Sequence, residues 1–175
     1  MSAALIVRSV AQTMIAVDSP LAAYRAAAEA RDVPAMVARL APDVTLSSPI
    51  TDGFQFRGRP QLAALLEDVF AVIDDVRYLV DAGDDRTRML TLEARVGRQR
   101  IDEAMVVTLD DDGLIEHMQL FIRPLPGLTA LAAALGPRVA GRRSRVRAIA
   151  VRAMIAPLAF MTRHGEGVGS RLAAP

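Results

Sequence analysis

The 175-residue chain has no cysteine, no lysine and no tryptophan, and only two histidines, His117 and His164. Without cysteine there is no disulfide and no Cys-based zinc site, and the redox compartment stays open. Two histidines are too few for a His-based metal site. The absence of lysine puts all side-chain positive charge on arginine, a compositional bias and not a functional signal. Aromatic residues are 4% of the chain, so the interleaved aromatics of single-strand nucleic-acid binders are missing and no nucleic-acid partner is expected. No apolar run approaches the ~20 residues of a membrane span. The first residues lack a basic start, and Arg8 interrupts their apolar stretch, which argues against a signal peptide and makes the cytoplasm the default location. No metal or other cofactor is expected.

What is present is a globular composition, 52% hydrophobic and 23% charged, suited to one domain with a core. The charge is uneven. Residues 1–137 hold 13 Arg against 19 Asp and Glu, while residues 138–175 hold 8 Arg against one Glu. A basic tail thus follows an acidic body.

Helical periodicity opens the chain. "DSPLAAYRAAAEARD" reads as a helix with Ser19 able to cap it and Pro20 at its first position. "VPAMVARLAPD" reads as a short second helix starting at Pro34, and "DVTLSSP" as a strand. "ITDGFQFRG" reads as loop. "RPQLAALLEDVFAVI" reads as a third helix with Leu62, Leu65, Leu66, Val69 and Ile73 on one stripe. The period then changes: "DVRYLVDAG", "RTRMLTLEARV", "RQRIDEAMVVTLDD" and "GLIEHMQLFIRPL" read as four consecutive strands. Helices followed by a run of antiparallel strands imply an α+β fold. The expected organisation is an N-terminal extension (1–17), a domain (18–136), a basic amphipathic helix (137–164), kinked or stopped near Pro157, and a flexible tail (165–175).

The turn "VGRQ" centres a two-residue hairpin on Gly97–Arg98, with Gly first as type II′ requires. That pairs Ala94 with Ile101, Leu92 with Glu103 and Leu90 with Met105. One face then carries Leu90, Leu92, Ala94, Ile101, Met105, Val107 and Leu109, and Glu103 is its only charge. A carboxylate on an apolar face either finds a partner or keeps its proton. Glu103 is therefore a candidate general acid or base. The competing reading makes it a strand-end residue that reaches water or pairs with Arg123.

The segment "YRAAAEARDVPAMVARLAPDVTLSSP", Tyr24 to Pro49, resembles the opening of the nuclear transport factor 2-like superfamily, which includes ketosteroid isomerase, SnoaL-type polyketide cyclases and limonene epoxide hydrolase. "FRGRPQLAALL" and "TLDDDGLIEHMQLFIRP" are similar to its third-helix entry and its final hairpin. The resemblance implies a cone-shaped barrel: a strongly curved, mostly antiparallel sheet covered by three N-terminal helices, here with a C-terminal helical extension. It implies an apolar pocket between sheet and helices. Tyr24 matches the first-helix tyrosine that donates to an oxyanion in ketosteroid isomerase. Ser48 stands where that enzyme has its general-base aspartate, and Met105 where it has its protonated aspartate. With two of three catalytic groups replaced, steroid isomerisation is not expected. Limonene epoxide hydrolase's Asp-Arg-Asp set is also absent, its aspartates falling on Gly97 and Leu120.

The same alignment predicts a pocket lined by Met36, Leu40, Leu65, Leu66, Met105, Met118, Leu120 and Ile122, with Tyr24, Glu103 and Ser48 as the catalytic candidates and Thr45 or Arg123 as further polar groups. His117, next to Met118, should face away. The expected ligand is a small, largely apolar molecule. The chemistry, if the protein is an enzyme, is cofactor-independent and of isomerase, cyclase, hydratase or hydrolase type. The alternative is a non-catalytic carrier or interaction protein. A homodimer is the default assembly. For the basic helix, with Ile149, Ala150, Ala153, Met154, Pro157, Leu158 and Met161 at helical spacing, docking on the domain or a second subunit ranks ahead of an anionic membrane surface.

Overall fold

A computed structural model describes residues 18–173, with side chains described to Gly165 and at Arg171. The expected N-terminal extension, 1–17, and residues 174–175 lie outside the described residues.

Two short helices come first, α1 (Ala22–Glu29) and α2 (Val33–Val37). The Ser19 hydroxyl accepts the Leu21 N–H at 3.1 Å, so it shapes the turn entering α1 instead of capping the helix itself. Asp32 caps α2 by accepting the Ala35 N–H at 3.0 Å, with Pro34 in the first turn, where its missing N–H costs nothing. Between them Arg31 takes a left-handed φ of 59°. Its guanidinium donates to the Ile73 carbonyl at 3.0 Å and pairs with Asp74 at 2.9 Å, tying this turn to the chain beyond the third helix.

Strands β1 (Leu40–Ser47) and β2 (Gln55–Arg57) precede α3 (Gly58–Phe70). The segment read as loop thus contains β2, which pairs antiparallel with β1 through Leu46 and Phe56. Three residues are too few for alternation to register in a sequence. Helix α3 buries Leu62, Leu65 and Leu66, the stripe expected, and ends three residues before Ile73.

Strands β3 (Asp74–Gly83), β4 (Thr87–Val96), β5 (Gln99–Leu109) and β6 (Ile115–Arg123) form an antiparallel meander. The β4–β5 register is the expected one throughout, from Val96 with Gln99 to Leu90 with Met105. Gly97 is at φ 57° and Arg98 is not left-handed, as a type II′ turn demands. Strand order is β2-β1-β6-β5-β4-β3, with β1 parallel to β6. The described sheet is therefore mixed and unclosed: an α+β cone, open between its edge strands, with α1, α2 and α3 against its inner face. Between Tyr78 and Val80 the β3–β4 register slips by one residue at Leu79.

Two helices complete the described chain, α4 (Leu125–Gly141) and α5 (Arg145–Ala173). Their bounds differ from expectation. Helix α4 runs through Pro137, and the break falls at residues 142–144, where the Ser144 hydroxyl accepts the Val146 N–H at 3.2 Å. Helix α5 runs through Pro157 and on through the segment expected as tail. A proline removes one helical bond, and packing along α4 on both sides of Pro157 holds the helix across the gap.

Helix α4 packs closely on the sheet: a Cβ at Gly127 would stand 2.7 Å from Ile101 Cγ2 and 2.8 Å from the Arg100 carbonyl. It is also strapped to α3, where Arg142 Nε reaches Asp68 at 2.6 Å and Nη2 reaches Glu67 at 3.1 Å. Arg138 adds a second contact to Asp68 at 3.6 Å. Basic residues of the C-terminal region thus meet Glu67 and Asp68. The apolar stripe expected to dock does not: Ile149, Met154, Leu158 and Met161 are exposed. Helix α5 instead turns Ala148, Val151, Ile155, Ala159 and Thr162 toward α4. Gly136 leaves room for Val151 and Ile155 there, and the Thr129 and Thr162 hydroxyls meet at 2.6 Å.

Candidate functional site

The site grows out of the β4–β5 hairpin. Its register sets Glu103 opposite Leu92, and β6 sets Ile122 on its other side. Tyr78 pairs with Leu92 from β3. Tyr78, Leu92, Glu103 and Ile122 therefore form one row across four strands on the inner face. Helix α1 brings Tyr24 over this row, 3% exposed. Between sheet and helices lies a cavity of about 120 Å3, close to the ~150 Å3 of an apolar cavity known to take up benzene.

Tyr24, Ser48 and Glu103 all line this cavity, as do Met36, Leu65, Leu66, Met105, Met118, Leu120 and Ile122. Leu40 does not. It is fully buried, but it pairs with Ile115 at the far end of β1, beyond a register shift that separates it from Thr45. The further polar groups also lie elsewhere. Thr45 Oγ1 contacts His117 Nδ1 at 2.7 Å across the β1–β6 pair, on the face away from the cavity. Arg123 is an exposed partner of Asp102 at 3.9 Å and does not reach Glu103. Leu131 and Leu135 of α4 complete the lining.

Among the described residues no cation pairs with Glu103. Burial alone pushes its carboxyl up from 4.5 to about 7, because a carboxylate in apolar surroundings has lost its water without gaining a counter-charge. Burial first, and the Glu103 charge second, push the Tyr24 phenol well above its ordinary range. Tyr78 moves the same way, by burial and then by the nearby Tyr24 and Glu103. Both phenols remain protonated donors. The Tyr24 O–H donates to Met118 Sδ at 3.7 Å, a weak acceptor that a ligand oxygen can displace. Ser48 Oγ accepts the Ile50 N–H at 3.1 Å, so its lone pair holds the β1–β2 turn while its proton is left to donate. The cluster can exchange a proton near neutral pH at Glu103 and stabilise a developing oxyanion with two phenols.

Tyr78 was not foreseen from sequence. Counting back along β3 from the β3–β4 turn puts it opposite Glu93, on the outer face. The extra residue at Leu79 rotates it inward, as bulges near functional sites do. The same strand carries Asp81, opposite Leu90 on the inner face and 2% exposed. Arg25 Nε meets Asp81 at 2.9 Å and Arg88 Nε meets it at 2.6 Å. No three His, Cys, Asp or Glu side chains converge as a metal site among the described residues.

Residues 21–118 match the SnoaL-like domain, more than half of the chain. The chain belongs to the SnoaL-like family. Its matched region holds Tyr24, Ser48, Tyr78 and Glu103 and stops inside β6, so α4 and α5 lie beyond it. Among solved structures, the SnoaL-like chain is similar to a steroid delta-isomerase from Pseudomonas aeruginosa, at 28% identity and TM-score 0.64 over 71% of this chain and 92% of the other. It is also similar to an uncharacterised protein with a cystatin-like fold from Silicibacter pomeroyi, at 26% identity and TM-score 0.65 over 77% and 92%. The epoxide hydrolase/cyclase-like enzyme SalBIII of salinomycin pyran-ring formation shares the fold at 19% identity and TM-score 0.52, over 59% and 88%. No curated protein matches the chain.

Proposed function

We propose that this SnoaL-like protein binds a small, largely apolar molecule in the cone and acts on it by cofactor-independent acid–base chemistry of isomerase or cyclase type. The observation that carries the reading is Glu103: a carboxyl without a cation in an apolar cavity, titrating near 7, beside two neutral phenols. Glu103 takes and returns the substrate proton. Tyr24 and Tyr78 donate to the oxygen on which charge develops. Ser48 orients the ligand or a water.

A general base works best with a pKa near the operating pH, and such a group contributes about 10²–10⁴-fold. Oxyanion donors in a dry site act on the same transition state. The kinship with a steroid delta-isomerase supports proton transfer next to a carbonyl, while Ser48 and Met105, in place of two catalytic aspartates, argue against efficient steroid isomerisation itself.

The test is hydrogen–deuterium exchange at the carbon next to the carbonyl, followed by NMR on a panel of small apolar ketones in D2O. Wild-type protein should accelerate exchange for at least one of them, and Glu103→Gln should slow it 10²–10⁴-fold with little change in affinity. Ligand binding that leaves exchange at the solvent rate in both proteins assigns the chain to non-catalytic carriage.

A further inference from the structure

Helix α5 has two apolar faces, and α4 covers one. The residues turned away from α4 include Val146, Ile149, Met154, Leu158, Phe160 and Met161, between 51% and 74% exposed. Their spacing puts them on one broad side of the helix. Arg145, Arg147, Arg152 and Arg163 flank that side, all exposed. None of the four pairs with a carboxylate among the described residues, in contrast to Arg138 and Arg142, which are held by α3.

We propose that this outward face of α5 lies on an anionic lipid bilayer, with its apolar side chains in the headgroup–acyl boundary and the flanking arginines on lipid phosphates. The proposal stands apart from the acid–base reading of the cavity.

Charge selects this occupant. From 138 to 164 the sequence holds seven arginines and no acidic residue. Two copies meeting through this face would set arginine flank against arginine flank, with no carboxylate from residues 145–164 of either helix between them. An anionic surface neutralises each arginine, and the guanidinium fork matches phosphate oxygens. A large apolar face bordered by arginine, on a helix of modest overall hydrophobicity, is the signature of a helix lying in an interface. No helix among the described residues is long and apolar enough to cross a membrane, so the face rests on the bilayer and does not span it.

The test is co-sedimentation of the full chain with vesicles of equal parts phosphatidylcholine and phosphatidylglycerol, and with phosphatidylcholine alone. The protein should sediment with the anionic vesicles only, and less so as salt shortens the screening length from ~10 Å at 0.1 M to ~3 Å at 1 M. Replacing Arg145, Arg147 and Arg152 together by Gln should weaken partitioning on the order of a hundredfold. The double variant Ile149→Glu, Met161→Glu should abolish it and leave the melting temperature unchanged, since both side chains are exposed. Three results would each overturn the proposal. One is no sedimentation with anionic vesicles at low salt. Another is binding that survives the double variant. The third is a wild-type dimer in analytical ultracentrifugation that the double variant converts to monomer, which assigns the face to a second copy.

Discussion

Tyr78 and Glu103 stand in one row of the sheet, joined through Leu92, which pairs with both. Neither polar group owes its direction to a polar partner. A hairpin turn aims one and a bulge aims the other, and they meet where the surroundings are apolar. That is why the carboxyl is pushed up to about 7 and the phenols are kept neutral.

The pH dependence of stability follows from Glu103. Its folded pKa is raised from 4.5 to about 7. Below the lower value both folded and unfolded chains hold the proton, and Glu103 contributes no pH dependence. Between the two values only the folded chain holds it, so stability falls as pH rises. Above about 7 the penalty is complete, at most about 3 kcal/mol. Glu103→Gln should therefore gain stability relative to wild type as pH rises through this window. Urea unfolding below and above the window checks it; a stability gap that is the same at both ends contradicts a buried, unpaired carboxyl.

Tyr24→Phe removes a donor and leaves the ring in place. Hydrogen bonds to charged groups are worth about 1.5–3 kcal/mol. Binding of a small phenolate, a stable mimic of an oxyanion, should weaken roughly 10- to 100-fold, while a neutral apolar ligand of the same shape binds as before. Calorimetry on the pair of ligands decides. Equal losses for both would mean that Tyr24 serves only packing.

Asp81 is the shared partner of two buried arginines, Arg25 and Arg88. Asp81→Asn takes from both cations the carboxylate they share in the core. Breaking a buried pair in this way costs about 3–5 kcal/mol. At about 2–4 °C per kcal/mol for a chain of this size, the melting temperature should drop by roughly 6–20 °C. A drop of a degree or two would show that water reaches this end of the cone.

Gly127→Ala tests the seating of α4. The new methyl would meet Ile101 Cγ2 and a backbone carbonyl, both under 3 Å. Overpacking of this kind costs about 1–3 kcal/mol. Because α4 also supplies Leu131 and Leu135 to the cavity, ligand affinity should change together with stability. A stability loss with ligand affinity untouched would uncouple α4 from the cavity.

Much of this protein was legible in the residues themselves. The turn Gly97–Arg98 settles the β4–β5 pairing, because a two-residue loop allows one register, and period-two alternation then settles which way Glu103 points. The stripe of α3 and the proline that opens α2, Pro34, are equally local. Other features depended on contacts that no local pattern encodes. The bulge at Leu79 turned Tyr78 inward by adding one residue to a strand, and alternation counts through a bulge without seeing it. Strand β2 was too short to show a period and exists because β1 offers it an edge. Helix α5 is apolar on more than one side, so periodicity could not choose its docking face. Gly136 and Thr129 of α4 made that choice by accommodating Val151, Ile155 and Thr162, and they left Ile149 and Met161 outside. Where one turn or one stripe dictates an arrangement, the chain determines it unaided; where two faces or two registers compete, the surface on the other side of the contact decides.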